Sequence, residues 1–293
     1  MSTLVEPREW NQVPLVIATT RSDDLLSVDR ETILRQFKTH GAVLFRSFSI
    51  GVDRFQTLVK SFSNRRVPYP GGNRDTVSED GMMQTVDLGR NAGKLHSELS
   101  HTPFRPDICW FNCVKAPAQG GQTTLCDGSL IAAALPSRTR EILEGRLLRY
   151  RRTMAEGFLE RILSIEDPAK LPEALRTDPA GEHYEMRGEE VVQDFLAPAL
   201  HMPKFLPELA FANNVMHNFR PGSPLLYPTF EDGSSIPEEL ITSVCDTAQR
   251  YTFDVEWQDE DLLMFDNTRF MHGRRAILDP HRTIWTQFSD AAF

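Results

Sequence analysis

The chain has 293 residues, of which 40% are hydrophobic and 25% charged, a composition typical of globular proteins that bury a sizeable core. A net charge of -9 disfavours a general nucleic-acid or anionic-membrane surface, and no apolar run approaches the roughly 20 residues that span a bilayer. The N-terminus lacks the features of a secretory signal, and the four cysteines lack zinc-type spacing. We therefore expect a cytoplasmic protein with reduced thiols.

The first elements of the chain are predicted to be helices and buried strands. A helix is expected over 29–39, with Asp29 as N-cap and Gly41 just beyond its end. A Pro-, Gly- and Asn-rich stretch over 64–93 predicts a long irregular loop, and loops of that length in compact domains are commonly functional. The near-continuous apolar run over 108–114 indicates a strand covered on both faces.

The second half is predicted to interrupt and then resume the main sheet. Residues 136–200 mix helical segments with Pro-rich breaks, which places them outside that sheet. A helix is expected over 235–249, where Ser235 and Glu238 match a capping box. Strict alternation over 251–257 indicates a strand with one solvated face.

The whole chain, 1–293, therefore reads as one domain of mixed α+β class with a mainly β core. A β-sandwich or barrel with flanking helices fits this order of elements. A helical and loop insertion over about 136–235 is expected to act as a lid.

One short segment carries candidate metal ligands. His96 and Glu98 stand two residues apart, which on an extended strand would send both side chains to the same face. One imidazole from a distant strand would complete two His and one carboxylate, the set of non-haem Fe(II) oxygenases, although the same set also serves zinc. His272 follows a tight turn and is the candidate for the third ligand. Arg282 starts the next strand, where its planar fork could pair with a carboxylate.

Four segments in order resemble the taurine dioxygenase and clavaminate synthase-like family of Fe(II)/2-oxoglutarate oxygenases: LHSELSHTPFRPD, APAQGGQTTLCD, LLMFDNTRFMHGRRAI and HRTIW. The resemblance implies a double-stranded β-helix, or jelly roll, with a lid insertion. It also implies that His96, Glu98 and His272 bind Fe(II), that Arg282 and Thr123 hold 2-oxoglutarate, and that O2 is the second cosubstrate.

Departures from the family pattern bear on the substrate. Many relatives have Asp where this chain has Glu98. In having Glu at this position the chain resembles the clavaminate synthase-like branch and related hydroxylases of amino acids in natural-product pathways. Sulfonate-using members have a second arginine where this chain has Thr286, so taurine is not expected as the substrate. Candidates to bind the substrate are Arg274, which is preferred for an acidic group, Asn213 and Arg220.

The resemblance thus implies hydroxylation of an unactivated C–H bond of an amino acid or related small metabolite, coupled to decarboxylation of 2-oxoglutarate to succinate. Desaturation or oxidative cyclisation at the same site stays open. So does a barrel that binds metal or ligand without catalysis. A small molecule is the expected partner, with no nucleic acid and no membrane, and the oligomeric state is not predicted.

Overall fold

The computed structural model describes residues 3–5, 16–18 and 24–293, except 49, 72, 156, 189 and 223–226. The prediction about a secretory signal concerns the N-terminus, most of which lies outside the described residues. In the described part of the chain, every helix falls short of the length and apolar character that a membrane crossing needs. All four cysteines are free, and three of them are buried.

The strands of the described chain are, in order, Thr3–Val5 (β1), Val16–Ala18 (β2), Ala42–Arg46 (β3), Ser63–Arg66 (β4), Gln84–Thr85 (β5), Gly93–His96 (β6), Ile108–Lys115 (β7), Thr123–Asp127 (β8), Leu147–Thr153 (β9), Tyr184–Arg187 (β10), Glu190–Pro198 (β11), Thr229–Phe230 (β12), Thr252–Val255 (β13), Leu262–Asp266 (β14), Phe270–Arg274 (β15) and Thr283–Ala291 (β16). The α-helices are Arg30–His40 (α1), Val52–Ser61 (α2), Gly128–Ala134 (α3), Ser137–Leu143 (α4), Phe158–Ile162 (α5), Leu171–Thr177 (α6), Val215–Asn218 (α7) and Glu238–Tyr251 (α8).

Within the described residues these strands form three sheets. The largest has the order β1-β2-β3-β14-β7-β16-β4, with β5 alongside β16, and a four-stranded sheet has the order β13-β8-β15-β6. One apolar core contains side chains of both sheets, among them Phe111 and Phe265 of the first and Leu125 and Phe253 of the second. The two sheets therefore pack face to face as a jelly roll, in agreement with the predicted fold class.

The third sheet, β10-β11-β9-β12, belongs to the segment predicted to leave the main sheet. Its strands fall within 147–230 and carry α5 to α7 between them, so the predicted exclusion of 136–200 from the main sheet is confirmed.

Local signals in the sequence were correct at some helix ends and wrong at others. Asp29 caps α1 by accepting from the Thr32 amide, and Gly41 ends the helix in the left-handed conformation with φ 77°. The predicted capping box at Ser235 is wrong. Helix α8 begins at Glu238 after Pro237, with no side-chain cap. A helix capped by Ser235 would need Ile236 in helical conformation, which the following proline disfavours.

Candidate metal centre

Two adjacent strands bring the three predicted ligands together. In the register of β15 with β6, His272 lies directly opposite His96. Donor atoms of His96, Glu98 and His272 all lie within 4.8 Å of one another, and His272 Nε2 is 3.8 Å from Glu98 Oε2. Two donors each about 2.1 Å from one ion are separated by at most about 4.2 Å, so only a small contraction is needed to bind a metal.

The reason for this convergence differs from the predicted one. We expected His96 and Glu98 to share one face of an extended strand, but β6 ends at His96 and Glu98 lies in the following turn. Leu99, next in the chain, has a φ of 52°, a left-handed conformation that is costly for a branched side chain. The turn, not strand alternation, therefore aims the carboxylate.

Asn267 holds this turn in place from the loop between β14 and β15. Its Oδ1 accepts from the Glu98 amide at 2.7 Å, and its Nδ2 donates to the Glu98 carbonyl at 3.0 Å and to the Pro106 carbonyl at 2.8 Å. Because Asn267 is fully buried and stands five residues before His272, it links two of the ligands through one amide side chain.

The electrostatics of the triad suit a divalent cation. The Nδ1 of His96 lies 2.8 Å from the Lys94 carbonyl, which fixes the proton there and leaves the Nε2 lone pair free for a metal. Burial, and then the neighbouring His96, hold the pKa of His272 well below its usual range, so its imidazole is neutral. Glu98 is a buried carboxylate with one long contact, 3.4 Å to Arg74. A carboxylate buried in this way requires further positive charge.

Beside the triad is a cavity of about 450 Å³, within the size range of small-molecule sites. Thr123 and Arg282 line it together with both histidines. Arg282 makes no hydrogen bond or ion pair to a described residue, and its Nε is buried without a partner. Burial, and then Arg274, lower the pKa of Arg282 to about 10, and it stays cationic at neutral pH.

The surroundings of Arg282 are shaped for a carboxylate. Gly121, with φ 69°, lies so close that an added Cβ would be 2.8 Å from Arg282 Cδ. Thr123 accepts from Trp257 Nε1 at 3.2 Å, which leaves the threonine hydroxyl proton available to a second acceptor. A buried cation and a free hydroxyl thus face the same space.

The three predicted substrate-binding residues are placed differently from one another. Arg274 lines the same cavity, but its guanidinium donates to the Asp87 carbonyl at 2.6 Å and the Asn91 carbonyl at 2.8 Å. Arg220 is exposed and donates to carbonyls of its own turn. The buried Asn213 amide is engaged at both ends by backbone groups, donating to Ala199 and accepting from Val215.

Sequence reasoning missed Arg74 and Asn267. Arg74 contacts Glu98 and stacks over the Tyr69 ring, 3.6 Å from its centroid. It lies in the irregular loop over 64–93, whose length was itself a functional signal. Asn267 lies in the tight turn that precedes His272, and its spacing from that histidine gave no further signal.

Comparisons with known proteins identify the family of the chain. The profile of the taurine catabolism dioxygenase TauD, TfdA family matches residues 10–286. A clavaminate synthase-like protein of Arabidopsis thaliana is 24% identical over 265 residues, which cover 83% of this chain and 80% of that protein.

Solved structures share the fold. PvcB of Pseudomonas aeruginosa superposes with a TM-score of 0.62 at 16% identity, over 99% of this chain and 92% of that one. A putative alpha-ketoglutarate-dependent taurine dioxygenase of Burkholderia xenovorans superposes with a TM-score of 0.65 at 12% identity, over 99% and 90%. The AAD-2 structure, solved with Mn(II) and N-oxalylglycine, gives 0.63 at 13% identity, over 100% and 98%.

Proposed function

The chain belongs to the TauD/TfdA family of Fe(II)/2-oxoglutarate-dependent dioxygenases, and from that premise we propose that it hydroxylates an unactivated C–H bond of an amino acid or a related small metabolite. Decarboxylation of 2-oxoglutarate to succinate would accompany each turnover. The observation that carries the proposal is a cavity in which the two histidines of a clustered His-Glu-His triad meet Arg282, a partly buried cation whose Nε has no partner.

Each side chain has a distinct role in this proposal. His96, Glu98 and His272 would hold Fe(II), whose redox chemistry activates O2 while 2-oxoglutarate is consumed. Arg282 would pair with the distal carboxylate of 2-oxoglutarate, and Thr123 would donate its hydroxyl proton to the same group. This division of roles fits the family pattern and leaves no buried charge in the cavity unpaired.

The protein would also exclude water from the reacting atoms. The rings of Phe111 and Phe265 lie 5.2 and 5.5 Å from the His272 ring, between the ligand and the core. The segment over about 136–235 supplies the third sheet, which we propose acts as a lid over the site. A dry, enclosed centre protects the oxidising chemistry from side reactions.

A natural-product substrate fits two relatives. PvcB is described as an oxygenase from an isonitrile synthetic pathway, and the Arabidopsis relative is named clavaminate synthase-like. We therefore propose that the substrate is a biosynthetic intermediate of amino-acid type, small enough for the cavities beside the triad.

Anaerobic absorption and product release test the proposal in sequence. Fe(II) followed by 2-oxoglutarate should give a weak visible charge-transfer band, which His272→Ala should abolish. A screen of amino acids and their derivatives for succinate release should then identify substrates. Folded wild-type protein that gives no band would contradict the proposal.

A further inference from the structure

A second cavity, of about 190 Å³, lies on the Glu98 side of the triad. It is lined by His96 and Glu98 of the triad and also by His101, Arg152 and Tyr227. His96 also lines the larger cavity that holds Arg282, so the two cavities meet at the metal ligands. A molecule in the smaller cavity would therefore lie beside the proposed metal position, next to the cavity assigned to 2-oxoglutarate.

Arg152 is a cation on the inward face of a strand. In β9, Leu148 and Tyr150 point inward and are buried, and Arg152 continues the same face by alternation. The guanidinium makes no hydrogen bond or ion pair with any residue that the structure describes, and its Nε is buried without a partner. Its guanidinium also lies over the Phe158 ring, 5.7 Å from Arg152 Cζ to the centroid.

The neighbouring arginines of the same strand are paired. Arg149 Nε donates to Asp194 at 2.7 Å, and Arg151 lies 3.9 Å from the same carboxylate. These two side chains point away from the cavity, where acidic partners are present. Arg152 alone among the three turns toward the metal side, where the sheet offers it no acid.

The walls around Arg152 supply hydrogen-bond donors and no free counter-charge. Asn214 donates to His101 Nδ1 at 2.7 Å, and burial, followed by the charge of Arg152, holds the pKa of His101 well below its usual range. The Tyr227 hydroxyl is buried without a hydrogen-bond partner, and burial raises the pKa of Tyr227 to about 12. The carboxylate in the wall, Glu98, belongs to the metal triad and contacts Arg74.

An unpaired, largely buried guanidinium beside an unpaired phenol is costly unless a ligand satisfies both. A carboxylate does so, because it accepts two hydrogen bonds from the guanidinium fork and a further one from a hydroxyl. Arg274 and Arg220, the arginines expected from the sequence, already donate to backbone carbonyls.

We propose that Arg152, with the Tyr227 hydroxyl, binds a carboxylate of the substrate, so that the enzyme acts on carboxylic acids seated between Arg152 and the metal triad. This inference rests on the proposed function and specifies its substrate class. The acid group is held by Arg152 and Tyr227, and the carbon to be oxidised lies toward Glu98 and His96.

Binding to the loaded but unreactive enzyme tests this proposal. Protein carrying Mn(II) and N-oxalylglycine would be titrated by calorimetry with the proteinogenic amino acids and with simple aliphatic and aromatic monocarboxylic acids. The affinity for each acid would be compared with the affinity for its primary amide. At least one acid should bind about tenfold or more tightly than its amide, because a charge-assisted pair is lost in the amide.

Three variants locate the preference. Arg152→Gln should weaken binding of that acid by about 10- to 100-fold, so that the acid and its amide bind with equal affinity. Tyr227→Phe should weaken it by a few-fold, and Arg152→Lys should keep part of the preference, so the test survives if the glutamine variant fails to fold. Arg151→Gln, one residue away on the opposite face, should bind as the wild type does.

The possible failures are distinguishable. If no acid is preferred over its amide, or if Arg152→Gln keeps the preference, the inference is overturned while N-oxalylglycine binding leaves the proposed function standing. If N-oxalylglycine does not bind the Mn(II) protein, the proposed function fails and this inference fails with it.

Discussion

Replacing Arg282 by Gln removes the charge proposed to hold the distal carboxylate of 2-oxoglutarate. In the ligand-free protein this guanidinium has a buried Nε without a partner and a pKa lowered to about 10. A hydrogen bond to a charged group contributes about 1.5–3 kcal/mol, so the Kd for 2-oxoglutarate should rise about 10- to 150-fold. Metal affinity should not change, since Arg282 is not among the ligand-atom cluster.

The same substitution should stabilise the empty protein. The pKa of Arg282 is lower in the folded than in the unfolded state, so its protonated form disfavours folding. This cost is present at every pH below about 10, where the guanidinium is protonated. Loss of this opposition should raise the free energy of unfolding by about 1–2 kcal/mol at neutral pH.

Anaerobic titration of the Fe(II) protein with 2-oxoglutarate, followed by its visible band, measures the affinity, and urea denaturation measures the stability. Arg275→Gln is the matched control, because Arg275 lies on the same connection between β15 and β16 but is exposed and paired with Asp254. An Arg282→Gln protein that binds 2-oxoglutarate within twofold of the wild type would refute the assignment of this residue.

Three further predictions concern positioning and pH. Thr123→Val should raise the Kd for 2-oxoglutarate by a few-fold, measured in the same titration, because the hydroxyl proton is lost and Trp257 Nε1 loses its acceptor. Asn267→Ala should weaken metal binding by about 10- to 100-fold, as loss of outer-sphere support does elsewhere, whereas unchanged Mn(II) affinity would show that the Glu98 turn holds itself. Burial raises the pKa of Asp266 from 3.8 to about 6. Between these pH values the folded state binds more protons than the unfolded state, so the free energy of unfolding falls as the pH rises from about 4 to about 6. Asp266→Asn should therefore be more stable than the wild type by about 1–3 kcal/mol at pH 8 and show no such gain at pH 4, which urea denaturation at the two pH values would check.

The parts of the site that lie on regular strands were predictable. His272 and Thr123 stand on β15 and β8, and the order of the motifs was enough to place them. Asp29 and Gly41 fixed the ends of α1, since capping depends on residues close in sequence. These inferences succeed because their physical causes are local.

The remainder depends on contacts distant in sequence. Glu98 lies beside the two histidines as predicted, but the extended geometry assumed for it was wrong, because the left-handed Leu99 and the amide of Asn267 shape the turn. Nothing near position 98 in the chain predicts the hydrogen bonds from Asn267, which is 169 residues away.

Arg152 had a signal that went unused. The segment from Leu147 to Thr153 alternates buried and more exposed positions, and Arg152 falls on the face of Leu148 and Tyr150. A cation at an inward position breaks the usual polar-out pattern. Such a break is the sequence pattern that the proposed role of Arg152 would leave.

The two cavities beside the triad share some lining residues, including His96 and His217, but differ in the cations that they contain. Thr123 and Arg282 belong to the jelly roll, whereas Arg152 belongs to the third sheet, within the segment proposed to be a lid insertion. Mutations in the insertion could therefore change which molecules are accepted during divergence without disturbing the oxidative machinery. Exchange of residues 147–230 between homologues would then be a practical route to new selectivity. The residues proposed to bind Fe(II) and 2-oxoglutarate lie outside that range and would not change.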